Sequence, residues 1–92
     1  MKFEPGRIVT TMGVKELSDV NRGFAAHVEQ SLRRHLAGDW GDLCEEDKAV
    51  NEEALRGNAT LHSIYSNDGM PEIWIMTEWD RSRTTVLFPD EY

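Results

Sequence analysis

In the segment SDVNRGFAAHVEQSLRRHLAG, residues 18–38, Phe24, Val28, Leu32 and Leu36 recur every four positions. That period stacks side chains along one face of an α-helix. Asp19 or Asn21 supplies an N-cap, Arg33, Arg34 and His35 complement the dipole in the last turns, and Gly38 offers a C-terminal stop. The flanking sequence has a different texture. RIVTTMGV, residues 7–14, is rich in β-branched residues, is preceded by Pro5-Gly6 and contains Gly13 near its end, which reads as a strand. LHSIYS (61–66) and EIWIMTEWD (72–80) enclose Asn67-Asp68-Gly69-Met70-Pro71, a turn composition, and so form an antiparallel hairpin. Ile73, Ile75, Thr77 and Trp79 share one face of the second strand, and Trp74, Met76 and Glu78 the other. Apolar residues on both faces place it centrally in a sheet. Asp80-Arg81-Ser82-Arg83 then turns the chain into a third strand, TTVLF, which stops at Pro89.

Between helix and hairpin lies GDWGDLCEED, residues 38–47, with five carboxylates in ten positions. Asp42 followed three residues later by Glu45 has the form of a capping box for a second helix, EEDKAVNEEALRG, that ends at Gly57. Ala49, Val50, Ala54 and Leu55 form its thin apolar face, with Leu43 and Trp40 packing just before it. The expected fold is α+β: an N-terminal strand, two helices, then a three-stranded antiparallel meander, with the helices packed on one sheet face. Residues 1–92 make one domain, because a chain of this length buries only about 60–65% of its unfolded surface and supports one modest core.

Charge is unevenly placed. The formal net charge is −7; residues 39–53 hold one Lys against seven acids, whereas residues 1–38 are slightly basic. Helix capping uses one or two carboxylates, so most of the block is left over. A chain this acidic is poorly suited to direct nucleic-acid contact, where affinity comes largely from counterions that Lys and Arg displace. No apolar run is long enough to cross a membrane and no secretory signal is evident. Cys44 is the single cysteine, which suits a reducing compartment, and a cytoplasmic location is expected.

Gly38-Asp39-Trp40-Gly41-Asp42, then Glu45, Glu46, Asp47 and Asn51, then Thr77, Glu78, Asp80, Arg81, Ser82, Thr84 and Thr85, and last Phe88, Pro89, Glu91 and Tyr92 occur in fixed order and spacing. This pattern resembles a family of small uncharacterised proteins carried on bacterial phages, plasmids and integrative elements, and the likeness covers nearly the whole chain. The resemblance implies an accessory role in mobile DNA. By analogy with small acidic proteins of that setting, it implies antagonism of host defence, such as inhibition of a CRISPR or restriction effector.

Catalytic constellations are thin. His27 and His35 are eight residues apart and belong to no H-E-x-x-H pattern, so they read as core-edge or surface residues, and no metal or other cofactor is expected. Glu78 and Asp80, joined by Asp68, are a candidate Mg²⁺ cluster for a small hydrolase or nuclease, but no E-x-K lysine follows. The alternative for them is a turn salt-bridged by Arg81 and Arg83. Cys44 near a helix start gains from the dipole and loses to the neighbouring acids. The candidate partner-binding set is therefore Asp39, Trp40, Asp42, Glu45, Glu46, Asp47, Glu52 and Glu53, facing the basic surface of a protein effector. Trp40 is either the buried anchor of that interface or a plug between the helices, and the acids are either an interface or a solvated face. A homodimer through an open β edge or an uncovered sheet face is the other binding mode.

Overall fold

The computed structural model describes residues 1–92. In chain order it contains β1 (Arg7–Thr10), α1 (Met12–Val20), α2 (Arg22–Leu36), α3 (Glu45–Arg56), β2 (Leu61–Asn67), β3 (Met70–Thr77) and β4 (Arg83–Leu87), followed by a short 3₁₀ turn at Pro89–Glu91. The class is α+β, as expected. The sheet differs from the expected three-stranded meander: it is mixed and four-stranded, in the order β1-β4-β3-β2, with β1 parallel to β4 and the other pairs antiparallel. No helix is long and apolar enough to cross a membrane.

The N-terminal strand is half the expected length. Thr11 breaks RIVTTMGV by accepting the Val14 backbone N–H at 3.4 Å, so Met12, Gly13 and Val14 open a helix. Asn21 leaves helical geometry (φ −136°, ψ 104°), ends α1, and caps α2 by accepting the Phe24 N–H at 3.0 Å. At the far end Gly38 takes φ +83°, while the Asp39 N–H reaches the Arg34 carbonyl and the Gly38 N–H that of His35. This paired closure is the glycine stop expected from the sequence.

The buried face of α2 is not the four-residue stripe. Phe24, His27, Ser31 and His35 are its buried residues, while Val28 and Leu32 pack at the margin of the core. The reason lies in the sheet, which presents Ser63, Thr77 and Thr84, all buried, opposite the C-terminal half of the helix. His35 Nδ1 meets Ser63 Oγ, and Nε2 lies 2.9 Å from Thr77 Oγ1. Thr77 Oγ1 is 2.8 Å from Thr84 Oγ1, which donates to the Pro5 carbonyl at 2.7 Å.

Counting protons assigns the whole chain of bonds. The Thr84 hydroxyl spends its hydrogen on Pro5, so Thr77 donates to Thr84, and Thr77 must accept from His35 Nε2–H. Nδ1 is then the acceptor for Ser63. Burial holds the His35 pKa down at about 3, with His62 and Arg81 adding repulsion, so the ring is neutral.

Two apolar clusters flank this network. Val14, Phe24, Tyr65, Ile73, Ile75 and Val86 form the larger, and Trp40, Ala54 and Leu61 the smaller, with Phe3 packed against the latter. Helix α3 runs along the outer edge of β2. There the Asn51 amide accepts the His62 backbone N–H at 3.2 Å and donates to the His62 carbonyl at 2.7 Å, closing the edge as a neighbouring strand would.

A folded pKa below the unfolded value means that the unfolded chain binds the extra proton. The contribution of His35 is thus complete above about pH 6.5 and declines as pH falls toward 3, with a slope approaching ~1.4 kcal/mol per pH unit. Urea denaturation across pH 7 to 4.5 should show that loss. His35→Gln should be less stable at pH 7 by about 2–4 kcal/mol and visibly flatter across the same range. An unchanged pH slope in the variant would contradict the assignment.

Candidate functional site

Four members of the candidate binding set are occupied by the fold. Asp39 receives Arg34 through two bonds, 2.7 Å from Nε and 3.1 Å from Nη2, and accepts the Gly41 N–H at 3.1 Å. The Arg34 guanidinium, ahead of the Gly41 N–H, holds the Asp39 carboxyl below its usual range. Trp40 is 3% exposed; it packs on Ala54 and Leu61, stacks on Phe3 with centroids 6.3 Å apart, and donates its indole N–H to Glu52 at 2.8 Å. It is the plug and not a surface anchor, and Glu52 serves it. Asp42 is not a helix cap: its carboxylate accepts the Ser66 hydroxyl, and its backbone N–H bonds the Ile64 carbonyl at 2.8 Å. The cap position belongs to Cys44, whose side chain makes no capping bond.

Gly41 explains why the 38–42 segment is built as it is. Its φ of +74° lies in the left-handed region, and a Cβ there would collide with the Ile64 carbonyl. The loop consequently lies directly on β2, with the Ile64 N–H reaching the Trp40 carbonyl at 3.4 Å. Tyr65 closes the same joint, donating its hydroxyl to the Asp39 carbonyl at 2.6 Å beneath the Arg34 guanidinium.

Glu45, Glu46, Asp47 and Glu53 are the remainder. All four are exposed on α3. The only ion pairs among them are the loose Lys48–Glu45 and Arg56–Glu53 contacts at 3.7 and 3.8 Å. Acids in the first turn satisfy the helix dipole, but Glu53, near the C-terminal end, does not. Val50, expected on the apolar face, is 62% exposed; Asn51 and Ala54 are the residues that α3 buries. The Cys44 thiol pKa is raised: the Asp47 backbone N–H lowers it, and the carboxylates of Glu46 and Asp47 outweigh that. This is the wrong direction for a nucleophile.

Glu78, Asp80 and Asp68 are not brought together. The eight-residue β3 separates Asp68 from Glu78, a distance of roughly 25 Å along an extended strand. Glu78 pairs with Arg83 at 3.5 Å, and Asp80 caps its own turn through the Ser82 N–H at 3.1 Å. That turn bond, with the Ser82 side chain first, lowers the Asp80 pKa. No group of three His, Cys, Asp or Glu side chains is arranged to hold a metal ion.

Arg81 was expected to form a salt bridge and instead binds carbonyl groups. It sits at φ +60° and donates to Ala54 at 2.8 Å, Ala59 at 2.7 Å, Glu78 at 3.1 Å and Trp79 at 3.3 Å. Ala54 lies in the last turn of α3, where carbonyls lack helical partners and a cation is favoured. One guanidinium thus fastens the β3–β4 turn to the helix that carries the acids. A left-handed non-glycine residue has no clear signature in sequence, so this role was not legible there. Trp79 beside it is 59% exposed.

A groove of about 370 Å³ opens between the start of α3 and the sheet face turned away from α2, lined in part by Leu43, Asp47, Val50, Ile64, His62 and Trp74. His62 packs edge-on against Trp74 at 4.7 Å, and Tyr92 covers both rings at 6.4 and 5.6 Å. Burial lowers the His62 pKa against the pull of Asp47, so its ring is neutral at pH 7. Nothing in the sequence joins these residues, since the groove depends on α3 lying beside β2.

Comparison of the chain with family models, with curated proteins and with solved structures gives no match. Nothing in these comparisons bears on a mobile-element family.

Arg81→Lys keeps the charge and the backbone strain but loses the planar fork of donors. It should cost about 2 kcal/mol, lowering Tm by roughly 10 °C in a chain of this size. Thermal unfolding followed by circular dichroism checks this, and an unchanged Tm would mean that the carbonyl contacts contribute little.

Proposed function

We propose that this protein is a mobile-element accessory protein that binds, stoichiometrically, the basic surface of a host nucleic-acid-handling protein and inhibits it, the effector being of the CRISPR or restriction type. The observation that carries the reading is the division of the acidic block. Asp39, Asp42 and Glu52 serve the fold, while Glu45, Glu46, Asp47 and Glu53 are exposed on one helix, with only two loose ion pairs among them, in a chain with net charge −7. A surface that normally holds a phosphate backbone is rich in Arg and Lys, and a helix of carboxylates complements it without needing a reaction of its own. The mobile-element setting comes from the resemblance, and the choice of effector is analogy.

Homodimerisation through a β edge has one supporting feature: β1 is the uncovered edge, and Ile8 on it is 45% exposed. Four residues of edge make a short seam, and the opposite edge is closed by Asn51 and the Gly41–Ile64 bridge. The inhibitor reading is therefore preferred.

Glu45→Gln, Glu46→Gln and Glu53→Gln together remove charge without touching Glu52 or the groove. Tagged protein incubated with bacterial lysate at low and moderate salt should capture a nucleic-acid-handling protein that salt releases. The triple variant, with Tm within a few degrees of the parent, should associate with that partner at least about tenfold more slowly at low salt. Equal capture by parent and variant would remove the acidic helix from the interface.

A further inference from the structure

We propose that the groove between α3 and the sheet is a receptor for a single arginine side chain presented by a protein partner. This deepens the basic-surface reading and rests on it for the identity of the partner as a protein. Three features of the lining select that occupant.

Asp47 is the charged residue of the lining and forms no ion pair within the chain, whereas its neighbours Glu45 and Glu53 have partial ones. An incoming cation therefore meets a carboxylate that no Lys or Arg of the chain pairs with. The opposite wall is aromatic. Trp74 and His62 stand 4.7 Å apart; Tyr92 packs on both rings at 5.6 and 6.4 Å but is not part of the groove lining, and the Trp74 indole N–H is already given to Glu72 at 3.0 Å, so within the groove the indole acts through its ring. A cation within about 6 Å of such a ring gains attraction from its quadrupole, and indole is the strongest of the aromatic side chains in this respect. The neutral His62 ring adds surface without opposing charge. The rest of the lining includes Leu43, Val50 and Ile64, with the Asn51 amide committed to the His62 backbone.

This combination distinguishes arginine from lysine. A lysine ammonium is compact and strongly hydrated, and it would give up water to an apolar wall for one carboxylate contact. A guanidinium is planar and weakly hydrated, stacks on aromatic faces, and still forks onto a carboxylate from its edge. At about 370 Å³ the groove lies at the small end of ligand sites and has room for one long side chain.

The test uses two blocked tripeptides, acetyl-Gly-Arg-Gly-amide and acetyl-Gly-Lys-Gly-amide, titrated into ¹⁵N-labelled protein. The arginine peptide should move the Trp74 indole N–H and the Asp47 amide with millimolar saturation, and the lysine peptide should bind at least about fivefold more weakly. Asp47→Asn, with an otherwise unchanged spectrum, should lose about fivefold or more for arginine, while Glu53→Gln should bind as the parent does. No shift at Trp74, equal response to both peptides, or full affinity in Asp47→Asn would each overturn the inference. Its failure is separable from that of the broader reading. Basic peptides that bind equally and depend on Glu45, Glu46 and Glu53 would discard the groove and keep the acidic interface. Arginine-selective binding with partner capture untouched by the triple glutamine variant would keep the groove and discard that interface.

Discussion

A neutral imidazole at the centre of the molecule is the constraint around which the rest is arranged. His35 joins α2 to β2 through Ser63 and to β3 through Thr77, and the line of hydroxyls continues through Thr84 of β4 to the backbone at Pro5. A buried polar network is stabilising only when every member is satisfied. Here each donor has one acceptor, in a single consistent direction. Phe3 and Trp40 stand edge-on to the same ring at 5.4 and 5.6 Å, so the smaller apolar cluster is organised against it as well. Helix orientation, strand register and the docking of the N-terminal segment are specified together, in a core too small to set them by volume alone.

Most residues of the GDWGD, EED and DRS-TT segments have structural work in this fold. Gly41 permits the loop to touch β2, Trp40 fills the smaller cluster, Asn51 closes the β2 edge, and Arg81 fastens the β3–β4 turn to α3. Thr77 and Thr84 belong to the His35 network, and Glu91 accepts the Thr11 hydroxyl and the Phe88 N–H, both at 2.7 Å. Residues so employed speak for the fold more than for an activity, since function resides in sites placed on a fold. The exposed carboxylates of α3 and the aromatic groove beside them are what the architecture engages least.

Local rules were legible in the sequence and long-range ones were not. Asn21 and Gly38 bound α2 as read, and the hairpin forms about Asp68-Gly69, with Gly69 at φ +75°. The central position of β3 followed from its two apolar faces. Helix α1 was hidden because β-branched residues continue to Thr11, whose hydroxyl serves equally in a strand or as a cap. Parallel pairing of β1 with β4 joins residues some 76 apart and leaves no local trace. Asp42 carried a sound capping signature, yet its carboxylate found Ser66 across the β2 edge, a tertiary partner overriding a local one. The burial of His27 and His35 is hidden in the sequence because the four-residue apolar stripe lies one step around the helix from the polar face that the sheet requires.

The central claim is the state of one ring, and it can be observed directly. Long-range ¹H–¹⁵N correlation of the imidazoles between pH 8 and pH 5 reports which nitrogen of each histidine carries a proton. His35 should show the Nε2–H tautomer with an unprotonated Nδ1, unchanged throughout that range. A His35 ring that protonates with a midpoint near 6.5, or that carries its proton on Nδ1, would contradict the network and the fold logic built on it.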